Sequence, residues 1–456
     1  QEVNHVIKHH WSIDEQMRMI QKVTDSYPLE KTLTKPHRHF FTNNDGINFT
    51  KQNITNAQDY SETTFNKPVK IFLMQYSKPV RFVLSIFKEP LIIANTTYNE
   101  FINFEWAIFD EDASFTYCRF EKEINFYQSV FRKSASFYGT KFYDANFTDV
   151  KFKEGAIFSQ SYFTNIAKFV GAHFTGNIAF DDVHFGHIAN FNQAIFNGNI
   201  TFSQAKFGET ASFAYTQFNG SVNFRHAKMP DYLDFSNVKV INKPIEFNTL
   251  DIQRSEPTLI NLVGTLIPQL ILDYSQFSLY FPEGTSENEI SSVYEKLIKV
   301  QQDNGFNAGY KKLVIEFKTY KYKKSGQYVQ YFFDKHLWDF GFDKAHLISI
   351  VLYLVLVFTL INAYFYRELV HNVYRIDFLD FQSHSKIIED NRLFRYLFYL
   401  PLAFIYTVII FLSGFLGLTA GLQTIQKKHI FFGIYFVVMI VCGVLSTFIM
   451  LKFVMI

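Results

Sequence analysis

The chain has 456 residues, 55 of them Phe and 27 Tyr, and a formal net charge of +2. That length admits two or three domains, and so even a charge balance gives no global attraction to nucleic acid. The two cysteines, Cys118 and Cys442, lie in stretches of different character, which argues against a disulfide between them.

Residues 1–45 come first and carry no repeat. The chain opens on Gln1 rather than Met, which fits a mature terminus left by signal-peptide removal. Ser12-Ile-Asp-Glu15 has the form of a capping box, so a short helix is predicted from Ile13 to Thr24, placed to plug whatever follows. His5, His9 and His10 stand just before it with no carboxylate in a metal-binding motif, so no metal or cofactor is expected.

A ladder of large apolar residues then runs from Phe49 to Phe247, at steps of five and six mostly in alternation. Its clearest part reads Phe174, Phe180, Phe185, Phe191, Phe196, Phe202, Phe207, Phe213, Phe218 and Phe224. One slip interrupts it: Phe142, Phe147 and Phe152 are five and five apart, one residue short. Such a period is neither that of a strand nor that of a helix. A coil that turns a corner after every five or six residues satisfies it, and four sides give about 22 residues per turn. The residue two before each ladder position is often small or β-branched, as at Ala189, Ala194, Ile200, Ala205, Ala211, Thr216, Val222 and Ala227, and is predicted to point inward as well. Asn, Gly, Asp, Ser and Lys fill the remaining positions and suit turns and solvent. His173, His184 and His187 fall on turns or outer faces.

The run Phe174-Thr-Gly-Asn-Ile-Ala-Phe180-Asp-Asp-Val-His-Phe185 resembles the Phe-rich class of pentapeptide-repeat proteins. The resemblance covers about 200 residues and implies a right-handed quadrilateral β-helix. About nine coils at a strand spacing of ~4.8 Å would make a rod of roughly 40 Å. No Ser–His–Asp set, Gly-rich phosphate loop or Cys–His cluster stands out along it, so no enzyme is expected. A rigid solenoid presents an extended face of the kind that binds other macromolecules. The β-helix and its cap are assigned to 46–285, with Leu259, Leu262, Leu266, Ile267, Leu270 and Leu272 in the last irregular coils and Pro257, Pro268 and Pro282 excluding a long helix there.

From 286 to 340 the period becomes helical. Ile290, Val293, Tyr294, Leu297 and Ile298 form one face, Asn304-Gly305 ends that helix, and a second follows with Leu313, Val314, Phe317 and Tyr320 on its apolar side. Lys311, Lys312, Lys318, Lys321, Lys323 and Lys324 make the rest of its surface basic and are candidates for contact with a lipid surface. The pair is similar to the helical hairpin that follows the repeats in some membrane pentapeptide-repeat proteins.

The last part, 341–456, holds three apolar stretches, at 346–366, 395–416 and 430–451, each near the ~20 residues that a membrane span needs. Trp338, Phe340 and Phe342 before the first suit an interfacial belt, and no charged residue falls at the middle of any stretch. Arg367, Arg375, Lys386, Arg392 and Arg395 lie between the first two stretches, against Lys427 and Lys428 between the last two. The excess predicts a cytoplasmic first loop and an extracytoplasmic, periplasmic solenoid. Small and hydroxylated residues in 413–424, among them Ser413, Gly414, Gly417, Thr419 and Gly421, suit a re-entrant pore segment or a plain helix end, and Gly443 suits a close helix contact. The position of 413–424 resembles the pore loop of two-span potassium channels, but Leu418-Thr-Ala-Gly421 stands where that family has Thr-Val-Gly-Tyr-Gly. The sequence therefore predicts a mainly β chain with an α membrane part: β-helix, helical hairpin and three transmembrane helices. The expected role is a non-enzymatic docking or scaffold module in an envelope complex, touching lipid and other membrane proteins. The alternative is an ion-conducting homo-oligomer with a degenerate pore loop.

Overall fold

A large side chain at every fifth or sixth position can reach one common core only if the backbone bends between them, since strand residues otherwise alternate between two faces. The computed structural model describes residues 41–43, 47–50, 53–247, 256–372, 391–413 and 430–454. Its first part is a β-solenoid. Strands of mostly two to four residues pair in parallel with the strand one turn later, as Val69 with Leu91 and Leu91 with Ala113. Side-chain bonds keep the same step, Asn199 N–H donating to Asn177 Oδ1 at 2.9 Å across 22 residues. Sheets of 10, 11 and 17 strands result among the described residues. The solenoid has about ten turns against the nine expected. The extra turn arises because the irregular residues after 256 still pair, Leu259 with Tyr232 and Ser278 with Leu259.

The ladder residues stack in four files. One runs Phe65, Phe87, Phe109 and Phe131 with ring centroids 4.8, 5.0 and 4.4 Å apart. A second runs Phe147, Phe169 and Phe191 at 4.9 Å each, a third Phe158, Phe180 and Phe202 at 4.8 and 5.1 Å, and a fourth Phe142, Phe163 and Phe185 at 4.6 and 5.2 Å. Between files the rings meet edge to face, as Phe158 and Phe169 do at 5.4 Å and 90°. Every Phe named here is buried, and so are the small residues from Ala189 to Ala227 that the spacing sent inward. Each buried Phe contributes roughly 1.5–3 kcal/mol, and each well-placed ring pair about 0.5–1.5 kcal/mol more.

The corners have a rule that the apolar spacing does not reveal. Glu62, Leu73, Leu84 and Asn95 all adopt φ between 51° and 60°, and the pattern continues at every eleventh residue, on two corners of each turn. Gly139 and Gly171 take this role in turn, and at Gly139 a Cβ would lie 2.5 Å from the Tyr117 ring. The step from Gly139 to the next such residue, Asp149, is one shorter, in line with the missing ladder residue. The strand Arg119–Asn125 shows the same slip: Phe120 pairs with Phe142, but Glu123 pairs with Asp144. Asp144 fills the gap with its side chain. Its Oδ1 accepts from Ile166 N at 3.0 Å and from Asn165 Nδ2 at 2.9 Å, where the next turn uses a backbone carbonyl, Asn165 O, to receive Ile188 N at 3.1 Å.

Helices follow: α1 (Glu287–Asp303), α2 (Asn307–Ser325), α3 (Tyr328–Trp338), α4 (Lys344–Tyr364), α5 (Tyr366–Asn372), α6 (Arg392–Ser413) and α7 (Ile430–Val454). Ser286 and Glu289 form a capping box that starts α1, and Asn304 ends it before Gly305 at φ +70°. Gln301 of α1 is fully buried and bridges to the last turns of the solenoid: it accepts from Tyr274 N at 3.0 Å and donates to Leu272 O at 2.8 Å. Tyr274 in turn donates to Glu316 of α2 at 2.5 Å and accepts from Leu279 N at 2.8 Å. The predicted hairpin therefore closes the C-terminal end of the solenoid, where an apolar cross-section would otherwise face water. The separate helix α3 was not anticipated. The predicted N-terminal helix and the three terminal histidines lie outside the described residues.

The chain divides into two compact units at Phe317/Lys318. In the second, Lys344–Tyr364 and Arg392–Phe411 are long and apolar enough to cross a membrane. The third predicted stretch is helical as α7, with an apolar run described over Ile434–Thr447. This unit exposes its apolar residues: Leu352 is 64% exposed, Tyr353 67%, Phe404 50% and Ile434 61%. Asn362 and Thr407, by contrast, are fully buried inside it.

Candidate functional site

The buried polar centre of the second unit is one hydrogen-bonded set. Asn362 of α4 donates through Nδ2 to Thr407 Oγ1 of α6 at 2.8 Å and lies 3.3 Å from Met439 Sδ of α7, while Tyr435 OH donates to Asn362 Oδ1 at 2.9 Å. It ties three helices together without a formal charge. In hydrocarbon such interhelical bonds contribute about 0.6–2 kcal/mol each. Sequence reasoning passed over it because Asn362 and Thr407 are single polar residues in otherwise apolar runs.

Gly443 is buried where α6 and α7 touch, and a Cβ there would come 2.8 Å from the Phe411 carbonyl oxygen. It is a helix-contact glycine. Ser413 is the last residue of α6, whereas Gly414, Gly417, Thr419 and Gly421 lie outside the described residues.

The lysines of α2 separate into two groups. Lys312 is half-buried over the Tyr274 ring, 5.0 Å from its centroid, and donates to Phe277 O at 2.5 Å and Ser278 Oγ at 3.3 Å. Burial lowers its pKa, with Glu316 and Asp273 opposing. Lys318 is also half-buried and donates to Phe340 O at 2.9 Å. Lys311, Lys321, Lys323 and Lys324 are exposed.

A cleft of about 230 Å³ lies where α4 ends and α6 begins. Among the described residues its lining includes Arg367, Glu368, Arg392, Arg395, Tyr396 and Tyr399. Arg367 Nε donates to Tyr399 OH at 3.0 Å, its guanidinium lies 5.7 Å from the centre of that ring, and Tyr366 stacks on Tyr399 at 4.8 Å. The sequence had marked these arginines only as loop charge, because nothing in their spacing says that they meet.

On the solenoid the register places one basic file on an outer face. Arg119 stands beside Lys141, Lys141 beside Tyr162, Tyr162 beside His184, His184 beside Lys206, and Lys206 beside Lys228. All are exposed except His184, which is partly covered and stacks on Tyr162 at 4.3 Å. Burial lowers the His184 pKa, and Lys206 and Lys228 lower it further. His173 and His187 are exposed, His187 lying 3.0 Å from Glu209. Among the described residues no group of three His, Cys, Asp or Glu is placed to hold a metal ion.

A family model described as pentapeptide repeats (9 copies) matches residues 158–205. No curated protein and no solved structure matches the chain. The match falls inside the solenoid, and the same stacking continues on both sides of it. Family match and β-solenoid together support a pentapeptide-repeat protein.

Proposed function

We propose that this pentapeptide-repeat protein is a non-enzymatic, multi-pass membrane protein whose solenoid docks an acidic partner protein within an envelope complex. The observation that carries the reading is the basic file from Arg119 to Lys228. Its side chains are held at strand spacing, ~4.8 Å, on a face stiffened by stacked aromatic files. A partner would thus meet preorganised cations at Lys141, Lys206 and Lys228, with Tyr162 and His184 between the first two and Arg119 paired to Glu121 at one end, at little ordering cost on this side of the interface. On this reading the solenoid is a right-handed quadrilateral β-helix. It lies outside the cytoplasm, in the periplasm, and α4, α6 and α7 cross the membrane. The exposed apolar faces of those helices, with Asn362 and Thr407 turned inward, support the crossing. Lys311, Lys321, Lys323 and Lys324 then meet anionic headgroups.

The test is the native mass of the gently solubilised full chain, with identification of what travels with it. A second protein with an acidic surface is expected, lost when Lys141, Lys206 and Lys228 are all changed to Glu. A monomer without partners would contradict the docking role. A homo-oligomer of this chain alone would move the ion-conducting reading ahead.

A further inference from the structure

Helix α3 wears its polarity inside out. Its one acidic residue, Asp334, is buried, and accepts from Tyr322 OH at 2.5 Å and from Trp338 Nε1 at 3.1 Å. Tyr328, Val329, Phe332 and Phe333 are each at least half exposed. Together with the exposed His336 they stand at i, i+1, i+4, i+5 and i+8, which at helical spacing makes one stripe about 140° wide. Gln330 and Lys335 flank the stripe, and the exposed surface of α3 carries no carboxylate. Contiguous apolar surface of this kind marks a face that meets something other than water.

The turn after α3 is built to hold that face in one attitude. Asp339 at φ 48°, Phe340 at 56° and Gly341 at 103° are three left-handed residues in a row, between α3 and α4. Two of them are not glycine, so the turn persists only because its surroundings fix it. Phe340 is buried with its ring centroid 5.9 Å from that of Tyr331, and its carbonyl accepts from Lys318 Nζ at 2.9 Å. Directly beyond the turn, α4 exposes Ile348, Leu352, Tyr353 and Leu356.

We propose that α3 lies in the headgroup layer of the bilayer, with Tyr328, Val329, Phe332 and Phe333 inserted among the lipids. The occupant of the stripe is lipid for three reasons. Only residues 339–343 separate α3 from α4, whose exposed apolar face belongs to a helix long and apolar enough to cross a membrane. At 11 residues α3 is about 16 Å long, half the hydrocarbon thickness, so it can lie along a bilayer surface but not cross it. Phe and Tyr bordered by a cation suit that level, and the one carboxylate, which anionic headgroups would repel, is the side chain turned inward. Trp338 and Phe340, expected from the sequence to form the interfacial belt, are buried, and the stripe of α3 takes their place. The proposal rests on the reading that α4 crosses the membrane.

The experiment uses the full chain in vesicles of phosphatidylglycerol and phosphatidylcholine. Nitroxide labels are placed on F332C, F333C and L352C, each alone in a C442S background, since Cys118 is buried and escapes labelling. Collisions of each label with oxygen, which partitions into lipid, are compared with collisions with a water-soluble nickel chelate. Labels at 332 and 333 should favour oxygen and lie about 5–10 Å below the headgroup plane. A label at 352, near the middle of α4, should lie about 15 Å deep. Labels at 332 and 333 open to the nickel chelate, with the label at 352 still deep, would overturn the placement of α3 and leave the span standing. All three open to the chelate would overturn both. Labels at 332 and 333 shielded from both reagents would mean that protein covers the stripe, and would overturn lipid as its occupant.

Discussion

Asp234 shows how a single side chain makes this solenoid sensitive to pH. In register it follows Asn146, Lys168, Asn190 and Ser212 along one inner corner, with Asn261 next. Asn146, Asn190 and Asn261 each accept the backbone N–H two residues on, and Asp234 does the same for Ser236 at 2.9 Å. Three of these positions therefore work with a neutral amide. Burial holds the Asp234 carboxyl above the usual carboxylate range, and its bonds to Ser236 and Asn261 offset this only in part. A raised folded pKa means that the neutral form is preferred in the fold. The contribution is fully present below the unfolded value of about 3.9 and is lost as pH rises through the folded pKa. Asp234→Asn keeps the acceptor and removes the ionisation. Thermal melts across pH 4–8 should show the variant gaining stability over wild type as pH rises; parallel curves would refute this.

At the scale of the strand, the shortened turn is the informative place. The ladder spacing located the missing residue, because inward-facing positions are what a hydrophobic pattern records. It could not show what replaced the missing backbone acceptor, since Asp144 faces outward from the core, where no periodicity constrains it. Asp144→Ala should leave Ile166 N–H without its partner and cost about 1–3 kcal/mol. Asp144→Asn, which keeps an acceptor oxygen, should cost much less. Chemical denaturation of the two variants measures the difference, and equal losses would show that the side chain does not substitute for a carbonyl. The left-handed corners escaped the sequence for a related reason: Leu73, Tyr117 and Gln128 adopt positive φ with no glycine to signal it. Stacking above and below holds them there at a local cost of about 1–2 kcal/mol each.

At the scale of the whole chain, both units bury an aromatic core but differ at the surface. The solenoid buries its aromatics in continuous files, whereas the helical unit buries Phe358, Tyr399, Tyr406 and Phe436 and also exposes many apolar residues. Ladder and apolar runs were legible because each is a long pattern of one residue class. The cleft was not, because Arg367 and Arg392 are brought together only by the pairing of α4 with α6, which no local spacing encodes. The outward apolar surface is the physical basis for proposing that this unit lies in a bilayer, since water would penalise it by about 25 cal/mol for each Å². The most direct measurement is extraction of membranes containing the full chain with strongly alkaline carbonate. The account predicts that the protein stays in the membrane pellet and is released only by detergent. Release into the supernatant without detergent would contradict a bilayer-spanning unit, and with it the membrane-anchored docking role.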